Sequence, residues 1–196
     1  MNKKHIIVLL VIFVIVIGLV FAIAKLGNIK DQETISNIKK DSYLDIIVNL
    51  GDYSPTSYDE ERLLDVAIQL AENLGLLNES NEDDNYVQYV NANDVHSIIY
   101  ELTGNVVEAP IEIEDFYYLY DSEHEYYFYR PASPTYFQVK EISSIKENGT
   151  TYNILCSIAK TEDYEEIDLN NVKVKLTYIP ENTLIKYKVD KIEIHK

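Results

Sequence analysis

Cysteine, tryptophan, glycine and arginine are all scarce in this chain of 196 residues, and each scarcity closes off a class of answers. Cys156 is the only cysteine, so no intramolecular disulfide exists and the fold has to rest on apolar burial. It alternates with Tyr152, Ile154 and Ile158 as strand residues do, which predicts a small core side chain. A reactive thiol needs an electropositive, partly open setting instead. Six glycines leave little material for phosphate-cradling loops, and neither the Walker nor the dinucleotide-binding glycine pattern is present. The nucleophile pattern G-x-S-x-G is missing as well. His5, His96, His124 and His195 stand far apart without zinc-ligand spacing, so no metal or other cofactor is expected.

Positive charge is also short. Seventeen basic residues face thirty-three acidic ones, a net charge of −16. Setting aside Lys3 and Lys4 leaves a net −18 on residues 25–196. Binding to DNA or RNA depends on cationic side chains that displace counterions, and no basic stripe is visible along the sequence. Nucleic acid is therefore not an expected partner, and direct adhesion of the acidic portion to an anionic leaflet is disfavoured. The acidity reads as solubility through self-repulsion. Lysine outnumbers arginine fifteen to two and there is no tryptophan among many tyrosines, a usage typical of AT-rich bacterial genomes.

One feature is present in excess. Ile6 through Ala24 are nineteen consecutive residues with no charged or polar side chain. At a helical rise of 1.5 Å per residue such a run covers roughly 28 Å, close to the ~30 Å hydrocarbon core of a bilayer. The reading is an uncleaved transmembrane signal-anchor. Its rival is a cleaved signal peptide, with Lys3 and Lys4 as basic n-region and Ala22-Ile23-Ala24 as cleavage site. Signal h-regions run about 7 to 15 residues, shorter than this one. Lysines on the two sides of the span are nearly balanced, but a five-residue tail carrying Lys3, Lys4 and the amino terminus is hard to translocate. The expected topology is a cytoplasmic tail 1–5, a span 6–24, a juxtamembrane stalk 25–40 and an extracytoplasmic domain 41–196.

Within that domain the hydrophobic period changes once. Tyr43, Ile46, Ile47 and Leu50 recur at helical spacing before Gly51. Ser57 and Glu60 make a capping-box pattern ahead of Leu63, Val66, Ala67, Leu70 and Leu74, with Gly75 at the C-terminal cap. Residues 78–85 read as an acidic loop without the ligand spacing of an EF-hand. Asn93 then caps a third helix carrying Val95, Ile98, Ile99 and Leu102, ended by Gly104. From there the period is two. Aromatic strands over 116–120 and 126–130 flank the polar turn 121–125. Strands over 137–146 and 151–160 flank Asn148-Gly149, the strongest short hairpin signal. Val172, Val174, Leu176 and Tyr178 alternate, and Ile185, Tyr187 and Val189 follow the Pro180-Glu181-Asn182 turn. Ile192 and Ile194 keep facing the core only if a bulge falls at Asp190-Lys191. The fold class is α+β: about three helices, then an antiparallel sheet of four or more strands with the aromatic hairpin beside it.

The candidate binding residues are the tyrosines of that hairpin: Tyr117, Tyr118, Tyr120, Tyr126, Tyr127 and Tyr129. Tyrosine suits both half-buried strands and interfaces. Alternation sends one set to the core and leaves the other, expected to include Tyr127 and Tyr129, as a stacking platform. His124 sits between Glu123 and Glu125, whose charges would favour its protonated form. Carboxylate pairs such as Glu112 with Glu114, and the run 162–166, supply residue types for a hydrolase without showing the burial or the ~5 to 9.5 Å separation it needs.

The expectation is a single-pass membrane protein, held by the bilayer through Ile6 to Ala24, whose outer domain binds an envelope protein without catalysis. The alternatives are a cell-wall glycan-binding module using the tyrosines and, third, an envelope hydrolase. Full-length protein should sediment with membranes and resist alkaline extraction, whereas a chain starting after Ala24 should be soluble. A mature protein whose mass shows cleavage after Ala24 would establish the signal-peptide alternative.

Overall fold

The computed structural model describes residues 36–40, 42–79, 88–107, 110–111, 118–129, 136–162 and 165–195. The expected span 6–24 and most of the stalk lie outside them, and among the described residues no helix is long and apolar enough to cross a membrane. Residues Lys39–Lys196 form one compact unit.

Among the described residues, which include a helical stretch at 36–40, three further helices and eight strands make an α+β domain: α1 (Leu44–Ile47, continuing as a 3-10 turn Val48–Leu50), α2 (Glu60–Asn73), β1 (Asn78–Glu79), β2 (Gln88–Asn91), α3 (Ala92–Thr103), β3 (Tyr118–Asp121), β4 (Tyr126–Tyr129), β5 (Tyr136–Asn148), β6 (Thr151–Glu162), β7 (Glu165–Tyr178) and β8 (Tyr187–His195). The strands form two antiparallel sheets, ordered β1-β2-β4-β3 and β5-β6-β7-β8. The aromatic hairpin thus joins β2, from between the helices, rather than flanking the long-stranded meander. Complete segregation of helices before strands does not hold.

The meander buries one face. Ile154, Cys156 and Ile158 of β6, Val172, Val174 and Leu176 of β7, and Val189 and Ile192 of β8 are buried. The expected bulge is present, because Lys175 pairs with Lys191 and Leu176 with Val189, leaving Asp190 as the extra residue. Without it Ile192 would turn outward. Ile194 is half-buried. Cys156 is wholly buried, and desolvation, reinforced by Asp45, pushes its thiol up to about 11. It is an inert core residue.

The β5-β6 hairpin turns at a different pair from the one expected. Asn148 pairs with Thr151, so the central residues are Gly149 and Thr150, and only Gly149 has positive φ (63°). That is the pattern of a II′ turn, which needs glycine first.

The segment 45–54 meets part of each edge of this sheet. At β5, the Asn49 amide accepts from the Phe137 N–H (2.6 Å) and donates to the Phe137 carbonyl (3.2 Å), reproducing a strand partner. At β8, Tyr53 and Ile192 exchange backbone bonds of 3.1 and 2.9 Å, and Asp52 accepts from the Ile194 N–H. At these positions the edge groups are occupied and do not template pairing with another chain.

Helix α2 buries Leu63, Leu64, Val66, Ala67, Ile68, Leu70 and Ala71, and α3 buries Val95, Ile98, Ile99 and Leu102. The two pack against each other, and α3 also packs on β8. Their stops are those expected: Gly75 (φ 72°) and Gly104 (φ 77°) are left-handed. At α2 the Leu76 N–H reaches the Ala71 carbonyl and the Gly75 N–H the Glu72 carbonyl, a full Schellman closure. Their starts differ from expectation. The backbone of Ser57 pairs with Ser54 in a tight turn and the helix begins after it, with Asp59 as its cap, accepting from the N–H groups of Glu61 and Arg62. Asn91, still in β2, caps α3 by accepting from the Asn93 N–H. The first helix also differs, in being a single turn that buries Leu44, Ile47, Val48 and Leu50 while Tyr43 and Ile46 stay half-buried.

Glu101 ties α3 to the β7-β8 connection. Its carboxylate accepts from the N–H groups of Thr183, Leu184 and Ile185 and from the Thr183 hydroxyl, at 2.7 to 2.9 Å. Burial alone would raise its pKa, but the backbone donors of Ile185, Thr183 and Leu184 outweigh it and hold the group below its ordinary 4.5. The contribution of a carboxylate depressed in this way is complete above the unfolded value and is lost as pH falls through the folded one. Glu101→Gln is expected to cost about 2 kcal/mol at pH 7, read by denaturant unfolding, with the deficit shrinking below pH 4. A pH-independent deficit would contradict the assignment.

Candidate binding surface

The small sheet has two unlike faces. Register places Val90, Tyr127 and Tyr120 side by side on one and Tyr89, Phe128 and Leu119 side by side on the other. Val90 and Tyr127 are fully buried. Tyr127 stands edge-on to His96 of α3 at 6.3 Å, packs against Tyr120 at 5.2 Å, and its hydroxyl accepts from the Ile111 N–H at 2.9 Å. Burial depresses the His96 pKa, favouring the neutral ring beside this aromatic pair.

The outer face stays open enough to bind. Leu119 is 49 % exposed, and Tyr89, Tyr126 and Phe128 are half-buried. Tyr89 is the centre: its ring lies 4.6 Å from Tyr126 and 6.1 Å from Phe128. The His124 ring stacks on Tyr126 at 6.0 Å with an interplanar angle of 15°. Asp121 sets that edge. One of its oxygens accepts from the N–H groups of Glu123 and His124, and the other meets His124 Nδ1 at 2.8 Å. The His124 contact, then the backbone donors, hold the Asp121 carboxyl below its ordinary value despite some desolvation. His124 is therefore partnered by Asp121, not by Glu123 or Glu125 as sequence adjacency suggests. The left-handed Glu125 (φ 56°) closes the turn.

Of the six tyrosines proposed from sequence, Tyr126 lies on this outer face. Tyr120 lies on the inner face, half-buried, and Tyr127 is in the core. The expectation that Tyr127 forms a surface platform is overturned: a phenol that is 0 % exposed cannot stack on a ligand. Tyr118 and Tyr129 pair with each other in the backbone register of β3 and β4, and Tyr117 lies outside the described residues. Tyr89 was missed because its strand pairs with β4 across the whole of α3. The run Tyr86-Val87-Gln88-Tyr89-Val90 carries a β-prone composition that could have revealed it.

Among the described residues no group of three or more His, Cys, Asp or Glu is arranged to hold a metal ion. The pair Glu112 and Glu114 lies outside the described residues, as do Asp163 and Tyr164 of the 162–166 run. No protein-family model matches the chain, and no curated protein or solved structure is similar to it.

Tyr127→Ala is expected to cost about 3 to 5 kcal/mol through the cavity it leaves, and Tyr127→Phe about 1 kcal/mol through the unpaired Ile111 N–H. Urea titration reads both. A stable Tyr127→Ala protein would place this ring outside the core.

Proposed function

We propose that this chain is a membrane-anchored, non-catalytic binding protein whose domain contacts an envelope protein through the outer face of the β1-β2-β4-β3 sheet. The observation that carries the reading is the juxtaposition of Tyr89, Tyr126 and Phe128 beside the exposed Leu119. Rigid aromatic rings with polar tips are what interface centres use, because they supply large contact area at low entropic cost. The anchor rests on the composition of Ile6 to Ala24, which matches the length of a bilayer span. The acidity of the remainder keeps the domain soluble beside that anchor.

Glycan binding is the second reading. It is favoured by the edge where the His124 and Tyr126 rings stack beside the Asp121 carboxylate, since a sugar presents an apolar face to a ring and hydroxyls to a neighbouring acceptor.

Full-length protein, solubilised from its native membranes in mild detergent, should capture a defined envelope protein. The double variant Tyr89→Ala, Tyr126→Ala should reduce that capture at least tenfold with an unchanged far-ultraviolet circular dichroism spectrum. Equal capture by a folded variant removes the face as the contact. Detergent-resistant sedimentation with wall material, lost in the same variant, selects the glycan reading instead.

A further inference from the structure

The other face of the β5-β8 meander gathers positive charge that the linear sequence disperses. Register sets Lys146, Asn153, Lys175 and Lys191 in one row across the four strands, and Ser144, Leu155, Lys173 and Glu193 in the next. Inward neighbours Ile154, Val174 and Ile192 are buried, so alternation turns these two rows to the opposite side. Lys146, Lys173, Lys175 and Lys191 are all exposed. Between the rows lies a shallow groove of about 310 Å³ with Leu155 in its lining.

Four ammonium groups meet one carboxylate in this groove, in a chain where acids outnumber bases thirty-three to seventeen. Lys191 is held by Glu193 at 2.7 Å, and Lys175 lies 3.9 Å from Asp190. Lys146 and Lys173 make no ion pair among the described residues. Sheet geometry spaces the set. Adjacent strands lie ~4.8 Å apart and alternate residues ~7 Å apart, so the four lysines extend over about 15 Å. A single small anion reaches two or three of them; a ligand engaging all four carries repeated charges.

We propose that this face binds a linear, base-free polyanion of repeated phosphate groups. Each lysine meets a phosphate oxygen as a point charge, without the fixed orientation that arginine's planar fork imposes on carboxylate or phosphate. Neither row contains an arginine or an aromatic ring on which a nucleobase could stack, which separates the site from single-stranded nucleic-acid grooves. Repulsion from the acidic remainder of the domain is screened beyond ~8 Å at physiological ionic strength, so the local lysines govern close contact. This surface is separate from the aromatic sheet, and the proposal does not depend on that sheet's role.

The test uses full-length protein in neutral-lipid nanodiscs titrated with inorganic polyphosphate, followed by calorimetry. Binding is expected at 50 mM salt and should weaken roughly 50-fold by 200 mM, from about 0.7 counterions released at each of four contacts. Lys173→Gln with Lys175→Gln should lower the affinity at least tenfold, while Tyr89→Ala, Tyr126→Ala leaves it unchanged. No binding at 50 mM salt, or equal binding by the folded lysine variant, overturns the proposal. So does inorganic phosphate binding as tightly as the polymer, or a single-stranded oligonucleotide of equal charge binding more tightly.

Discussion

One apolar sheet face has to be covered, and the rest of the domain is arranged around that requirement. With a single, buried cysteine there is no cross-link to shrink the unfolded ensemble, so stability comes from taking this face out of water. The strands are long, up to fourteen residues in β7, and a one-residue slip would turn every apolar side chain outward. The bulge at Asp190 is the device that prevents this on β8. It lets the strand accommodate one extra residue while Val189 and Ile192 both remain inside. The covering elements are then fixed by polar contacts at the rim. Asn49 and Tyr53 bind one position on each sheet edge, and Glu101 pins α3 to the loop that precedes β8.

The smaller sheet follows from the same helices. Because β2 runs directly into α3, with Asn91 both ending the strand and capping the helix, the position of α3 on the meander dictates where β2 lies. The hairpin β3-β4 then adds to β2, and Tyr127 locks the inner side against His96. An outward row of Tyr89, Phe128 and Leu119 is the consequence of turning Val90, Tyr127 and Tyr120 inward. The candidate surface is thus held by a packed core on its reverse side, which is the preorganisation a contact face needs.

Much of this was legible in the sequence, and the failures have common causes. Gly75 and Gly104 as helix stops, the aromatic hairpin, the buried Cys156 and the bulge at Asp190-Lys191 all follow from local rules: left-handed backbone, turn chemistry and period-two burial. Helix starts lay off the expected residue because a backbone turn intervened: Ser57 pairs through its backbone with Ser54, and the chain enters the helix at Asp59. The II′ turn at Gly149 escaped because Asn-Gly fixes the neighbourhood of a turn but the strand register chooses its central pair. Non-local pairing was invisible altogether. The association of β2 with β4 moved Tyr127 inward and brought Tyr89 to the surface. The register of β5 through β8 brought Lys146 and Lys191 to the neighbouring pair Lys173 and Lys175 in a strongly acidic chain.

The central claim is that the outer face of the small sheet is the binding surface of this domain. A photo-cross-linking side chain at position 126 of the full-length protein, in its native cells, tests it directly, with the same group at the exposed position 58 as control. The account predicts a discrete adduct, to an envelope protein or to wall polymer, from position 126 and none from position 58. Equal adducts from both positions, or none from position 126, would contradict it.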